Sequence, residues 1–201
     1  MRRKLVTLTW TRVAAGVVAI AVLAAGLVVA FVGSGDSSRG AASGSFAWLH
    51  PASPPAGWKV ARTARGAALA YPPGWTPIES DRGTASVALL GSGGRIAGYL
   101  NATPKQGAET LANWSRFRPQ HNSNEGSRDE HLIASTTDAR FRSAHGACVI
   151  DSYSTSRAAY REIACLAAGP RSTAVVVAAA PEDLWAREAA TLERAVSSFV
   201  P

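Results

Sequence analysis

The sequence predicts an α+β domain, an antiparallel β-sheet flanked by amphipathic helices, that follows one N-terminal transmembrane helix. Three observations support this fold class. A stretch near the N-terminus is uninterruptedly apolar, the rest of the chain alternates short extended segments with glycine-rich turns, and two later stretches repeat apolar residues at helical spacing. The length of 201 residues accommodates one such domain together with its leading segments.

The apolar stretch is residues 13–32, VAAGVVAIAVLAAGLVVAFV, and it contains no charged side chain. Twenty helical residues span about 30 Å, which matches the hydrocarbon core of a bilayer. Residues 1–12 form a basic flank that carries Arg2, Arg3, Lys4 and Arg12. Because positive residues stay cytoplasmic, we predict a single-pass cell-membrane protein with an extracellular C-terminal domain. Secretion after signal-peptide cleavage near Ala30 is the alternative.

The predicted partner of residues 13–32 is the lipid bilayer itself. The formal net charge of +7 would also suggest a nucleic-acid partner. Four of the basic residues, however, belong to the flank 1–12, where they specify orientation. Since the domain is predicted to lie outside the cell, we expect no nucleic-acid partner.

Residues 33–56 are predicted as a flexible tether rich in Gly, Ser and Pro, and residues 57–201 as the extracytoplasmic domain. The first part, 33–45, has no apolar side chain larger than Ala, so it cannot bury enough surface to offset its ordering entropy. Trp48 and Leu49 follow in the second part, where they either pack on the domain or lie at the membrane interface. Packing on the domain is the interpretation that we favour.

Two hairpins are predicted in the first half of the domain, each with a glycine-containing turn. Their strands are 58–62 with 67–71, and 85–90 with 96–102. A helix is predicted over 107–118, where Leu111, Trp114 and Phe117 recur at spacings of three and Pro119 marks the end. Residues 121–130 are predicted as a polar loop, and 132–142 as a further strand.

Residues 147–168 contain the two cysteines of the chain, and two extended segments flank Ser156 and Arg157. A hairpin with a two-residue turn at those positions places Cys148 directly opposite Cys165, on a pair where side chains approach closely. We therefore predict a disulfide, which an oxidising compartment would preserve. Two reduced cysteines in the core are the alternative.

The same register puts Ile150 opposite Ile163 on the cysteine face, which is predicted to belong to the core. On the other face it sets Asp151 opposite Glu162 and Tyr153 opposite Tyr160. The two carboxyl groups form either a carboxylate pair of the kind used in acid–base chemistry or part of a charged surface. A shift of one residue would exchange the two faces.

The last two elements are a central strand and a closing helix. Residues 173–179 form a continuous Val and Ala run, typical of a strand that is covered on both faces. The helix is predicted to begin with Pro181, Glu182 and Asp183, and it carries one apolar stripe, formed by Trp185, Ala189, Leu192, Val196 and Phe199. This stripe is predicted to dock on the sheet.

The stretch GAALAYPPGW, residues 66–75, is similar to the early strand and Tyr-Pro-x-Gly-Trp turn of the PsbP-like α/β/α sandwich family. The order of elements over residues 57–200 also resembles that family. Its members include an extrinsic subunit of photosystem II, a Ran-binding nuclear-transport factor and bacterial envelope domains, among them actinobacterial membrane-anchored proteins of uncharacterised function. The resemblance implies the fold and carries over no binding residue, since shared fold does not transfer function.

The sequence predicts no catalytic residue, no metal ligand and no cofactor. It contains no G-x-S-x-G, H-E-x-x-H or C-x-x-C motif. The polar side chains between His121 and His131 would suit a weak metal site, but a solvated loop is the preferred interpretation. Four arginines would form an anion-binding patch if their elements adjoin, and otherwise solvate the surface: Arg116, Arg118, Arg140 and Arg142.

The function predicted from these observations is a non-catalytic extracytoplasmic binding or interaction module of the bacterial cell envelope. Its partner is expected to be an envelope protein or ligand that the sequence does not identify. Exposed aromatic residues are the predicted binding surface: Tyr71, Trp75, Tyr153 and Tyr160. The alternatives are an envelope hydrolase with a dispersed active site and a passive structural subunit of a membrane assembly.

Overall fold

The computed structural model describes residues 45–201. The predicted basic flank, the transmembrane helix 13–32 and residues 33–44 of the tether lie outside the described residues. Within residues 45–201, no helix is both long and apolar enough to cross a membrane.

The described residues form nine strands and two α-helices. The strands are β1 (Lys59–Arg62), β2 (Ala68–Tyr71), β3 (Thr76–Pro77), β4 (Ala85–Leu90), β5 (Ile96–Pro104), β6 (Arg128–Phe141), β7 (Ala144–Ser154), β8 (Ala159–Ala168) and β9 (Thr173–Pro181). The helices are α1 (Trp114–Asn124) and α2 (Trp185–Ser197). Seven strands make one antiparallel sheet in the order β3-β4-β5-β9-β8-β7-β6, and β1 pairs with β2 in a separate hairpin.

The two helices lie on opposite faces of the large sheet. Leu192, Val196 and Phe199, from α2 and the residues just after it, are buried against the face that carries the cysteines. Trp114 of α1 is buried against the other face, beside Val149 and other small apolar residues. The arrangement is an α/β/α sandwich, as predicted, because alternate residues of each central strand point to opposite apolar layers.

Strand β9 occupies the middle of the sheet, as its continuous Val and Ala run predicts. Val176 packs in the layer below α2, whereas Val175 and Val177 pack in the layer below α1. The predicted hairpins around β1–β2 and β4–β5 are also present. The chain then crosses from β5 to the far edge of the sheet through α1, and returns by consecutive hairpins to β9.

The β7–β8 hairpin has the predicted register. Cys148 is opposite Cys165, with Cα atoms 4.1 Å apart, and the two residues form a disulfide. The turn closes through a 2.9 Å hydrogen bond from the Thr155 N–H to the Ala158 carbonyl oxygen. Both cysteines are buried in the layer below α2, so the prediction that this face belongs to the core is confirmed.

Helix α1 begins later and ends later than predicted. Before it, the Glu109 carboxylate accepts hydrogen bonds of 2.8 Å from the N–H groups of Gln106 and Gly107, which ties this segment into a loop. Pro119 lies inside the helix, where its missing N–H removes one intrahelical bond without ending the element. The predicted loop 121–130 is therefore wrong, since α1 continues to Asn124 and β6 starts at Arg128.

The second part of the predicted tether packs on the domain. Phe46 is buried in the layer below α2, and Trp48 and Leu49 pack against the same layer. The Ala52 N–H donates a 3.0 Å hydrogen bond to the carbonyl oxygen of Ser197 at the end of α2. The folded part of the chain therefore begins before residue 57, because Phe46 supplies apolar surface that the sheet and helix cover.

Candidate functional site

Trp114 fixes helix α1 to the sheet. Its indole Nε1 donates a 2.9 Å hydrogen bond to the carbonyl oxygen of Ala164 on β8. Arg118 follows one helical turn later, and Glu162 precedes Ala164 by two strand residues. Four helical residues rise about 6 Å, and two strand residues rise about 6.6 Å. Because these two distances are similar, the contact of Trp114 with Ala164 also brings Arg118 next to Glu162.

Arg118 and Glu162 form a bidentate ion pair between α1 and β8. The distances are 2.6 Å from Nε to Oε1 and 2.8 Å from Nη2 to Oε2. The two side chains are only 13% and 1% exposed. Burial is the largest influence and lowers the pKa of Arg118, but the charge of Glu162, its hydrogen bonds and the nearby Asp151 together outweigh burial, and the pKa is raised. The guanidinium therefore remains charged in this site.

Three further polar side chains surround the ion pair: Glu130 on β6, and Asp151 and Tyr153 on β7. Asp151 is directly opposite Glu162 in the strand register. The Tyr153 hydroxyl donates a long hydrogen bond of 3.5 Å to Glu162 Oε2. We call Arg118, Glu130, Asp151, Tyr153 and Glu162 the buried polar cluster. It gathers three carboxyl groups around one guanidinium.

Burial and crowding of carboxyl groups raise the pKa values in the cluster. Burial raises the pKa of Asp151 to about 8, the charge of Glu162 adds to the rise, and Arg118 opposes it. The same causes raise the pKa of Glu130 to about 7, against Arg118 and the Asn122 side chain. Neither Asp151 oxygen has a hydrogen-bond donor among residues 45–201. A protonated Asp151 explains this, because the neutral form is cheaper to bury unpartnered.

The stability of the domain is expected to fall as the pH rises from about 4 to about 8. A carboxyl group whose pKa in the folded state exceeds its ordinary value keeps its proton to a higher pH in the folded state than in the unfolded state. Its contribution is complete below the ordinary value of 3.8 for Asp151 and is lost as the pH rises through about 8. The slope is at most about 1.4 kcal/mol per pH unit for this group. Urea denaturation at a series of pH values measures it.

Asp151→Asn should flatten this pH profile, because an amide keeps the shape of the side chain and does not titrate. Asp138→Asn is the matched control, since Asp138 is 78% exposed and paired with Arg140 on the surface. An Asp151→Asn profile as steep as that of the Asp138→Asn protein would contradict the assignment of the raised pKa to Asp151.

A cleft of about 330 Å³ opens beside the buried polar cluster, at the β7–β8 turn. Tyr99, Tyr153 and Tyr160 line it together with Ile96, and Arg157 lies in the turn at its edge. The Tyr153 and Tyr160 rings are stacked, with centroids 5.8 Å apart. We call this site the tyrosine cleft. Because Tyr153 also reaches Glu162, the cleft and the cluster share one side chain.

The four aromatic residues predicted as a binding surface separate into two pairs. Tyr153 and Tyr160 line the tyrosine cleft, as described. Tyr71 and Trp75 are only 6% and 5% exposed, so the expectation that this pair is exposed is wrong. The Trp75 indole lies on Gly98, where an added Cβ would stand 2.7 Å from Cη2. The Tyr-Pro-x-Gly-Trp turn thus supplies core side chains rather than a recognition surface.

The other predicted polar groupings have different surroundings. Arg118 is buried with Glu162, whereas Arg140 pairs with Asp138 and Arg142 donates to the Ser53 hydroxyl, so these arginines do not form one patch. His121 pairs with Glu125 on α1 at 3.4 Å. Among residues 45–201, no three His, Cys, Asp or Glu side chains are grouped as metal ligands would be.

The sequence interpretation paired Asp151 with Glu162 and missed Arg118 and Glu130 as their neighbours. A signal for Arg118 is present, since Trp114, Arg118 and Asn122 recur every four residues on one face of α1. Ending the predicted helix at residue 118 concealed it. Glu130 offers no such signal, because it belongs to a strand that was predicted as a loop.

No protein-family model and no curated protein matches this sequence. Among solved structures, cyanobacterial PsbP (CyanoP) from Synechocystis sp. PCC 6803 superposes with a TM-score of 0.54 at 16% identity, over 73% of this chain and 93% of that one. Protein PA94 from Pseudomonas aeruginosa, of unknown function, gives a TM-score of 0.48 at 12% identity, over 72% and 96%.

LpqN, a protein involved in cell envelope biogenesis of Mycobacterium tuberculosis, gives a TM-score of 0.36 at 12% identity, over 74% of this chain and 81% of that one. Of the three similarities, that to CyanoP is close enough to compare folds, and its low identity restricts the comparison to fold. Residues 45–201 have a PsbP-like fold.

Proposed function

We propose that this chain is a non-catalytic binding module of the bacterial cell envelope, which the apolar segment 13–32 holds at the outer face of the cell membrane. The tyrosine cleft is its recognition site for an apolar group of an envelope protein or ligand. The observation that carries the proposal is this cleft, a concave aromatic surface on a rigid sheet.

The composition of the cleft favours binding of an apolar group. Tyrosine combines a large rigid contact surface with a polar hydroxyl, which is why it is enriched in recognition sites. The Tyr153 hydroxyl is directed to Glu162, so its ring presents carbon surface to the cleft. Arg157 at the edge adds one positive charge, which would suit a ligand with a negative group beside its apolar part.

The position of the carboxyl groups favours a module without catalysis. Asp151 and Glu162 are both buried, and Glu162 is held by Arg118. A general acid or base must come within hydrogen-bonding distance of the substrate. Neither carboxyl group is open to a substrate while α1 covers this part of the sheet.

Two features support a position outside the cytoplasm. Disulfides such as Cys148–Cys165 persist in oxidising compartments. The basic residues ahead of the apolar segment 13–32 favour a cytoplasmic N-terminus, so the domain would follow on the other side of the membrane. Cleavage near Ala30 would give the same domain in secreted form.

An envelope hydrolase is the second candidate. The observation in its favour is that Asp151 and Glu130, with pKa values raised to about 8 and about 7, belong to a cluster that shares Tyr153 with the tyrosine cleft. Strongly perturbed carboxyl groups are common in active sites. Burial and the charge of Glu162 account for the same raised pKa values without catalysis, which is why we place this function second.

The proposal is tested by photo-crosslinking in intact cells that make the full-length chain. A photoreactive residue in place of Arg157 is expected to form an adduct with an envelope component, and Tyr160→Ala in the same chain should lower the adduct yield. Ala186 is the control position, since it is exposed on α2 at the other face of the sheet. Equal adducts from positions 157 and 186, insensitive to Tyr160→Ala, would contradict recognition by the cleft.

A further inference from the structure

A second cleft, of about 490 Å³, lies at the end of the sheet opposite the tyrosine cleft. Three connections line it: the β1–β2 turn, the loop after β5 and the β8–β9 turn. Each contributes one cationic side chain, namely Arg65, Lys105 and Arg171. We call this site the cationic cleft.

Backbone hydrogen bonds hold each of the three connections in place. The Thr63 N–H donates to the Ala67 carbonyl oxygen at 3.0 Å, across the turn that carries Arg65. The Lys105 N–H donates to the Thr173 carbonyl oxygen at 2.9 Å, which links two of the connections to each other. The β8–β9 turn closes through Gly169 and Ser172, also at 2.9 Å. The three cationic side chains therefore belong to backbone segments that hydrogen bonds hold in place.

Side chains of the described residues do not balance the charges in the cationic cleft. Within residues 45–201, Arg65 and Arg171 have no acidic partner, and Lys105 Nζ donates only to the Gly107 carbonyl oxygen at 2.5 Å. Glu109 is the one carboxylate beside Lys105. Burial raises the pKa of Glu109, but hydrogen bonds from Gln106 and Gly107 and the charge of Lys105 outweigh burial and lower it. Three cationic side chains and one carboxylate side chain leave two positive side-chain charges, which matches a phosphate group.

The first described residues pack at the C-terminal end of α2, which is followed by the segment that leads to this cleft. Residues 45–52 lie along the end of α2, where Ala52 bonds to Ser197. The next residues of the chain after α2 reach the cleft, because Val200 pairs with Ala68 at the start of β2 and Pro201 lies against Gly169. Among the described residues, those that follow the proposed anchor segment most closely in sequence therefore lie at this end of the domain.

We propose that the cationic cleft binds the phosphate of an anionic lipid headgroup. The choice of a lipid as the source rests on the membrane anchoring proposed above, whereas the phosphate chemistry rests on Arg65, Lys105 and Arg171 alone. Guanidinium groups suit this ligand because their planar N–H groups pair with two phosphate oxygens at once.

The test uses the soluble fragment 45–201, which contains the whole sheet, both helices and both apolar layers. Its sedimentation with vesicles of phosphatidylglycerol and phosphatidylcholine is compared with that on pure phosphatidylcholine. Arg65→Gln together with Arg171→Gln is expected to weaken binding to the anionic vesicles about 30-fold, at about 1 kcal/mol per cation. Arg95→Gln with Arg128→Gln removes the same charge at the other end of the sheet and should leave binding nearly unchanged.

A second arm titrates inorganic phosphate into the fragment and follows amide NMR shifts. Shifts centred on residues 105–107 and 169–173, together with vesicle binding, support the proposal. If phosphate causes these shifts but the fragment does not bind anionic vesicles, the cleft binds phosphate and the proposal that a lipid headgroup supplies it is overturned. If neither NMR shifts nor vesicle binding is observed, the cationic cleft is not a phosphate site. The same conclusion follows if the two double variants lose equal affinity for anionic vesicles. The outcome is independent of the tyrosine cleft, since neither the anchor nor that cleft takes part.

Discussion

Arg118→Met is expected to lower the free energy of unfolding by about 3–5 kcal/mol at pH 8. The substitution leaves the Glu162 carboxylate, 1% exposed, without its guanidinium and beside two further carboxyl groups. An uncompensated buried charge is among the most costly changes that one substitution makes. The loss should shrink at pH 5, because Asp151 and Glu130, whose pKa values are raised to about 8 and about 7, are then protonated and no longer repel the Glu162 charge. Urea denaturation at the two pH values measures both effects.

Two further variants isolate the ion pair from the other roles of Arg118. Arg116→Met changes an exposed arginine of the same helix and should alter stability by less than about 0.5 kcal/mol. Arg118→Met combined with Glu162→Met should recover most of the loss, since replacing both members of a buried pair by apolar groups is often neutral. If Arg118→Met costs no more than Arg116→Met, the pair does not hold α1 on the sheet.

Removal of the disulfide is expected to lower the free energy of unfolding by about 3 kcal/mol. The bond joins Cys148 to Cys165, a separation of 17 residues, and so restricts the unfolded chain over that length. Cys148→Ala with Cys165→Ala removes the bond and also two sulfur atoms from the core. Chemically reduced wild-type protein keeps both sulfur atoms, so its loss of stability measures the cross-link by itself.

Mass spectrometry provides the direct check on the bond. Protein exported by cells and kept unreduced should resist alkylation at both cysteines in the native state and after unfolding. Thiols that alkylate fully in unreduced protein would show that the two residues remain free in the cell.

The β7–β8 hairpin was predictable from sequence because one local feature determines it. A two-residue turn at Ser156 and Arg157 specifies every pair of the ladder, from Cys148 with Cys165 to Tyr153 with Tyr160. The central position of β9 was predictable for a similar reason, since a run of apolar residues without alternation requires cover on both faces.

The bounds of α1 were not predictable in the same way. They depend on Glu109, whose carboxylate binds the N–H groups of Gln106 and Gly107, and side-chain contacts of this kind leave no periodic pattern. The buried polar cluster was recoverable only in part. Arg118 and Glu162 are 44 positions apart, and their contact requires knowledge of the face on which α1 lies.

Which of the four aromatic residues are buried was also not predictable from sequence. Sequence alone treats Tyr71, Trp75, Tyr153 and Tyr160 alike, because all four are aromatic residues near turns. Burial separates them: the first pair closes the layer below α2, whereas the second pair lines a cleft. Trp75 can be buried because Gly98 has no side chain, which leaves room for the indole.

The opposed positions of the two clefts give the sheet a further property. Strand β8 begins at Ala159, beside the tyrosine cleft, and ends at Ala168, beside the cationic cleft. Its 10 residues span about 30 Å from first to last, at a rise of about 3.3 Å per residue. Both sites can therefore be filled at once without steric conflict. A domain bound in this way would act as a rigid spacer that keeps its apolar ligand about 30 Å from the lipid headgroups.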